Sequence, residues 1–256
     1  MRRLLAGLAL LALAAGAQAQ EEGMRRMQGG HGFGEGMRMR GYANPSAAIA
    51  AEIAFAQLAR EKGQWTAFKA TAASDAVMFA PNMVLAQQWL KNQPNPVVSL
   101  SWQPYEVWSS CDGSLMVTTG AWQRGDKHGW FTTIWERQDK GDYKWIFSDS
   151  DAASEPLAAP EMIAAKVADC PERHTGDHAA GDHPSGQPRG MHHSGRHDPP
   201  KAPPVPFNPT RRDGRSSDGT LTWQVTADAA GTHDFSARLL VDGRMQEIRK
   251  EHVAGG

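Results

Sequence analysis

Residues 97–151 constrain the fold more than any other part of this 256-residue chain. Six of the nine tryptophans fall there (Trp102, Trp108, Trp122, Trp130, Trp135 and Trp145), spread over apolar runs at 97–108, 115–123, 130–138 and 143–148. Between the runs stand Cys111-Asp112-Gly113, residues 124–129 and residues 139–142, all rich in turn formers. Short β-branched and aromatic runs broken by Asp and Gly predict antiparallel strands joined by hairpins. In the first run Val98, Leu100 and Trp102 keep one parity and Tyr105 and Val107 the other. The change at Gln103-Pro104 predicts a bulge.

The chain opens with Arg2 and Arg3, an apolar run too short to span a bilayer, and Ala17-Gln18-Ala19. These are the parts of a secretory signal peptide, so residues 1–19 are expected to be removed and the product to be periplasmic or secreted. The alternative is a retained anchor. Residues 20–44 are rich in Gly, Arg and Met and hold too little apolar bulk to offset the entropy of ordering, which predicts a disordered tail. Met24, Met27, Met37 and Met39 with His31 could serve as soft ligands for copper(I), although no dense repeat is sustained. A formal net charge of −1 gives no electrostatic support to a nucleic-acid or membrane-surface partner. In an exported protein the pair Cys111 and Cys170 is expected to form a disulfide.

From Asn44-Pro45-Ser46 the pattern turns helical. Ile49, Ile53, Ala56, Leu58 and Ala59 suggest one apolar face, and Gly63 ends it. A second helix is expected from Gln64 to about Ala73, a brief strand over residues 75–80 ended by Pro81, and a short helical stretch over 85–91. A further amphipathic helix is expected over residues 160–168, just before Cys170.

In this order the chain resembles the nuclear transport factor two-like superfamily, which includes SnoaL-like and ketosteroid isomerase-like proteins. The residues that carry the resemblance are Gly63-Gln64-Trp65, the segment 74–81 (SDAVMFAP), Gly120-Ala121-Trp122, the segment 129–135 (GWFTTIW) and the segment 143–149 (YKWIFSD). The resemblance covers about residues 46–151. It implies an α+β fold for residues 45–170: a cone-shaped curved antiparallel sheet wrapped on two to three N-terminal helices, its open end a ligand pocket. Ketosteroid isomerase-like members carry a general-base aspartate at the end of the short strand. Aligned on Pro81, that position is Ala80 here, which cannot accept a proton.

By strand alternation, Tyr143, Trp145, Phe147, Asp149 and Asp151 should share one face, with Lys144, Ile146 and Ser148 on the other. The candidate ligand-binding residues are therefore Trp65, Met78, Trp102, Trp122, Trp145, Phe147 and Asp149, around an unknown small apolar ligand. The plain alternative is that these aromatics pack on the helices and the aspartates meet solvent. Asp75 is expected to cap or to form an ion pair. His128 could act as a base but sits in a polar hairpin tip, where a solvated histidine is the safer reading. No residue set is assigned a catalytic role, and no cofactor is required.

Residues 171–214 hold six of the ten histidines (His174, His178, His183, His192, His193 and His197) and a proline-rich end. This composition predicts a disordered linker, whose imidazoles could bind Zn(II), Cu(II) or Ni(II) weakly. Residues 215–253 regain strand character at 221–226, 235–241 and 245–253. So few residues cannot bury a core of their own, so this β meander is expected to dock on the cone. Asp218-Gly219-Thr220-Leu221 echoes Asp112-Gly113-Ser114-Leu115.

Three functional readings follow, in this order: an exported non-catalytic small-ligand-binding or scaffold module; a small lyase or isomerase moving a proton in the cone through Asp149 or His128; and a metal-handling protein using its His and Met segments. A homodimer through the sheet is left open as a further partnership.

Overall fold

The computed structural model describes residues 43–170 and 206–255. The expected signal peptide, most of the expected tail, and residues 171–205 with all six linker histidines lie outside the described residues.

Helix α1 (Pro45–Lys62) starts where Asn44 Oδ1 accepts the Ser46 N–H, with Pro45 in the first turn. It stops at Gly63, whose φ of 96° suits glycine and where a Cβ would run into the Asn95 side chain. Helix α2 (Gln64–Thr71) follows at once, then β1 (Ala72–Phe79), β2 (Met83–Leu85), α3 (Ala86–Trp89) and a single 3₁₀ turn. The tryptophan-bearing block forms β3 (Ser101–Ser109), β4 (Leu115–Arg124), β5 (Lys127–Arg137) and β6 (Tyr143–Ala152). With β7 (Ala164–Val167) these strands build a seven-stranded sheet in the order β2-β1-β6-β5-β4-β3-β7. The fold is α+β, as expected, but the sheet is mixed: β1 runs parallel to β6, and β7 parallel to β3.

Two register shifts set which way its side chains point. The pairing of β3 with β4 shifts between Pro104 and Glu106, at the bulge the parity change predicts. The pairing of β5 with β6 shifts between Ile134 and Trp135, where Phe147 faces Ile134 and Trp145 faces Trp135. Ile146 is the extra residue. A one-residue slip turns every later side chain to the opposite face. Tyr143 and Trp145 therefore look toward the helices, whereas Phe147, Asp149 and Asp151 look away from them, which corrects the single face expected for this strand.

That outer face is covered by the C-terminal strands β8 (Arg211–Arg215), β9 (Leu221–Ala227), β10 (His233–Val241) and β11 (Arg244–Val253). They form a separate antiparallel meander in the order β11-β10-β9-β8. Along β10 the odd-numbered residues from His233 to Val241 are buried, the alternation of a strand with one docked face. Phe147 stacks on Phe235 at 5.0 Å and 6°, and Phe147 lies 5.2 Å from Trp223.

Two further expectations are corrected. Residues 164–167 are a strand, not part of a helix: Met162 is 78% exposed, so a helix there would have had little to bury. Strand pairing instead caps the edge of β3, with the Ala168 N–H donating to the Ser109 carbonyl. The meander also begins earlier than expected, because β8 lies inside the segment assigned to the linker. Asp75 pairs with Arg212 of that strand at 2.6 Å, so it is an ion-pairing residue.

The four-residue echo is a structural repeat of turns. In residues 110–115 and 216–221, Ser110 and Ser216 each donate through Oγ to Oδ1 of Asp112 or Asp218, and each Oγ accepts the N–H of the closing leucine. The two turns also clasp each other: Cys111 N–H donates to Thr220 Oγ1, Asp112 N–H to Asp218 Oδ2, and Ser217 N–H to Ser114 Oγ. Beside them Cys111 and Cys170 form the expected disulfide, which spans 59 residues. Cross-linking a loop of that length stabilises by about 4 kcal/mol in the chain-entropy model. Reduction, or Cys170→Ser, should lower the unfolding free energy by roughly that amount, read from urea denaturation with and without reductant.

Candidate functional site

Between the helices and the inner face of the large sheet lies a cavity of about 100 Å³. Its walls are Phe55 of α1, Trp65 and Phe68 of α2, Met78 of β1, Trp102 of β3, Trp122 of β4 and Phe131 of β5, with Thr133, Ser148 and Ser150 as polar edges. The rings stand as adjoining walls: Trp65 to Phe68, Phe68 to Phe55, and Phe55 to Trp102 make angles of 77°, 65° and 71°. Gln64 is fixed in the wall by accepting the Leu100 N–H at 3.1 Å.

The expected ligand residues divide. Trp65, Met78, Trp102, Trp122 and Asp149 contribute to the walls; Trp145 and Phe147 do not. Trp145 lies beneath α2, donating its indole N–H to Thr71 Oγ1 at 3.0 Å and to the Phe68 carbonyl at 3.1 Å. Phe147 is carried to the outer face by the Ile146 bulge. Asp149 borders the cavity, yet its carboxylate is engaged elsewhere: Oδ2 meets His233 Nε2 at 2.9 Å and Oδ1 accepts the Ser150 N–H. His128 lies at the start of β5 and lines a different cleft with Gln103, Tyr105 and Leu157. It does not face Asp149, so the two form no acid–base pair.

Sequence reasoning missed Glu52. It is wholly buried, it lines the cavity, and it is the hub of the inner face. Oε1 accepts the Trp102 indole N–H at 2.7 Å; Oε2 accepts the Thr118 hydroxyl at 2.6 Å and the Trp135 indole N–H at 2.9 Å. Burial pushes the Glu52 carboxyl above the ordinary carboxylate range, and the donors Thr118, Trp102 and Trp135 pull against that. The signal was present in the helix. The buried residues of α1 are Ala48, Glu52, Phe55, Ala56 and Ala59, a clean i, i+4, i+7, i+8, i+11 stripe. Choosing apolar residues alone put Ile53 on the inner face, where it is in fact 48% exposed.

His233 is the second buried titratable group. Its Nδ1 lies 2.8 Å from the Gly231 carbonyl and its Nε2 2.9 Å from Asp149, and the ring stacks on Phe79 at 3.5 Å. Both ring nitrogens face acceptors, an arrangement that favours the doubly protonated ring. Burial alone would lower its pKa. The hydrogen bond and charge of Asp149, the Gly231 carbonyl and the charge of Asp151 outweigh it and raise the pKa above the usual histidine value. On the same outer face Glu251 accepts from Thr132 at 2.5 Å and pairs with Arg249, whose guanidinium lies over Trp130. These contacts tie the meander to the sheet and lie outside the cavity. Among the described residues no cluster of His, Cys, Asp or Glu could hold a metal ion. The expected Zn, Cu or Ni ligands and the copper(I) methionines lie outside the described residues.

No protein-family model matches the chain, and no curated protein matches it. Among solved structures it is similar to a protein provisionally named a ketosteroid isomerase from Parabacteroides distasonis (15% identity, 45% of this chain and 98% of that one, TM-score 0.34). It is also similar to an NTF-2 like protein of unknown function from Burkholderia xenovorans (17% identity, 45% and 89%, TM-score 0.31). A third is a protein of unknown function with a cystatin-like fold from Methylobium petroleophilum (10% identity, 48% and 86%, TM-score 0.33). Each is a likeness of shape at low identity.

Two outcomes test this geometry. Glu52→Ala strands the Trp102 indole N–H, leaves Trp135 only its Thr118 Oγ1 acceptor and opens a void in the core, and should destabilise the fold by about 2–5 kcal/mol in denaturant melts. The raised pKa of His233 implies stability that is fully present below its unfolded pKa, near 6.5, and lost as pH rises through the folded value. Unfolding free energy should therefore fall as pH rises above about 6.5 until the folded histidine has lost its proton, and His233→Ala should remove that component of the slope.

Proposed function

We propose that this protein is an exported, non-catalytic small-ligand-binding module whose ligand occupies the cavity between α2 and the inner face of the sheet. The observation that carries the reading is an aromatic-walled space in which both bordering carboxyls are already engaged: Glu52 by three donors and Asp149 by His233. An acid or base for turnover must reach the proton it moves. These two are committed to the scaffold, whereas the rings offer apolar area with a few polar edges, the composition of a binding pocket. At about 100 Å³ the cavity is smaller than the apolar cavity of about 150 Å³ that holds benzene, so the ligand is no larger than a single ring. The disulfide agrees with export.

A second reading is proton transfer by Glu52 itself. It is favoured by the upward shift of this carboxyl at the edge of a ligand-sized space, an environment that tunes glutamates for acid–base work. Asp149 and His128, considered for that role from sequence, point elsewhere.

Toluene titrated into the full chain should quench indole fluorescence saturably and raise the melting temperature. Ser148→Leu, which fills the cavity from the inner face of β6, should abolish both effects while leaving the circular dichroism unchanged. Undiminished toluene binding by Ser148→Leu would move the ligand site elsewhere.

A further inference from the structure

The apolar walls leave one feature of the cavity unexplained, a carboxyl group without a cation. The other two carboxylates buried in this domain have positive partners, Asp149 with His233 and Glu251 with Arg249. Glu52 is wholly buried and makes no ion pair among the described residues, and no Lys, Arg or His lines its cavity. Its three hydrogen bonds come from neutral groups, two indoles and a hydroxyl. Hydrogen-bonding capacity at Glu52 is therefore nearly filled, while its charge is not balanced.

Lining the same cavity are the rings of Phe55, Trp65, Phe68, Trp102, Trp122 and Phe131. Aromatic faces carry negative potential and attract cations, most strongly where water is excluded. Neighbouring rings in this wall meet edge to face, at 65° to 77°. A compact ammonium or guanidinium ion would need several further acceptors for its N–H groups. A quaternary ammonium needs none, because its charge is spread over methyl groups that pack as hydrocarbon.

We propose that the cavity binds a small quaternary ammonium ion, with the aromatic walls around its methyl groups and the Glu52 carboxylate as its counter-charge. This rests on the small-ligand reading of the same cavity and names the chemical class of the ligand. Binding of the cation favours the ionised form of Glu52, opposing the burial that disfavours it. Asp149 is the other titratable group bordering the cavity, and its carboxylate is held by His233.

The test compares choline with its neutral carbon isostere, 3,3-dimethyl-1-butanol, on the full chain by calorimetry and indole fluorescence. Choline should bind roughly tenfold or more tightly than the alcohol, and Glu52→Gln should erase the preference while still binding the alcohol. If Glu52→Gln does not fold, the wild-type protein still decides. Choline affinity should fall as acid protonates Glu52, whereas that of the alcohol should not. Equal or tighter binding of the alcohol, or choline binding that neither weakens in acid nor is lost in Glu52→Gln, overturns the proposal. Binding of toluene but not of choline overturns it and leaves the small-ligand reading standing. Failure of choline, the alcohol and toluene alike overturns both.

Discussion

Glu52 exchanges water for two indole N–H groups and a hydroxyl, and the arrangement of the inner face depends on that exchange. Taking a carboxylate out of water costs several kcal/mol, and a hydrogen bond to a charged group returns about 1.5–3 kcal/mol. Three such bonds come close to balance, which is why the carboxyl is tolerated and why its pKa still moves upward. The donors come from β3, β4 and β5, so a single side chain of α1 fixes the helix against three strands at once. The indoles of Trp102 and Trp135 are oriented by the same contacts. In the case of Trp102, that orientation also makes it a cavity wall.

On the other side of the sheet, one extra residue has a comparable reach. Without the bulge at Ile146, Phe147 and Asp149 would point into the space beneath the helices. With it, they become the anchors for Phe235 and His233. The sheet thereby acquires a second apolar face that needs a cover. The long buried runs of β4 and β5, including Thr119 and Thr132, are those of strands covered on both sides.

Much of the fold was legible because its signals are local. The tryptophan runs, the Asp-Gly turns, the Pro104 bulge and the Gly63 stop each encode their own geometry. The disulfide followed from compartment and count. The site was legible only in part. Trp65, Met78, Trp102 and Trp122 could be placed because aromatic and apolar residues at strand and helix spacing select the interior. Phe147 was misplaced because a bulge in β6 leaves no mark comparable to a proline, and Trp145, which does face the helices, lies beneath α2 and not in the cavity wall. Glu52 was overlooked because a charged residue is normally counted outside the core, and its donors come from 50 to 83 positions away in sequence. His233 has the same character: its partner lies 84 residues distant. The strand at 164–167 escaped because its residues carry no alternation, and only the free edge of β3 gives them a role.

The covered outer face has a consequence for self-association. A sheet face of this kind, left bare, is hydrophobic surface that a protein hides by recruiting a copy of itself, and such an interface dissolves on dilution. Here the covering strands belong to the same polypeptide and arrive on a tether, so their local concentration is set by chain length and not by how much protein is present. The clasped turns at 110–115 and 216–221 add a fixed point of attachment. The layer that closes the molecule is thus independent of expression level.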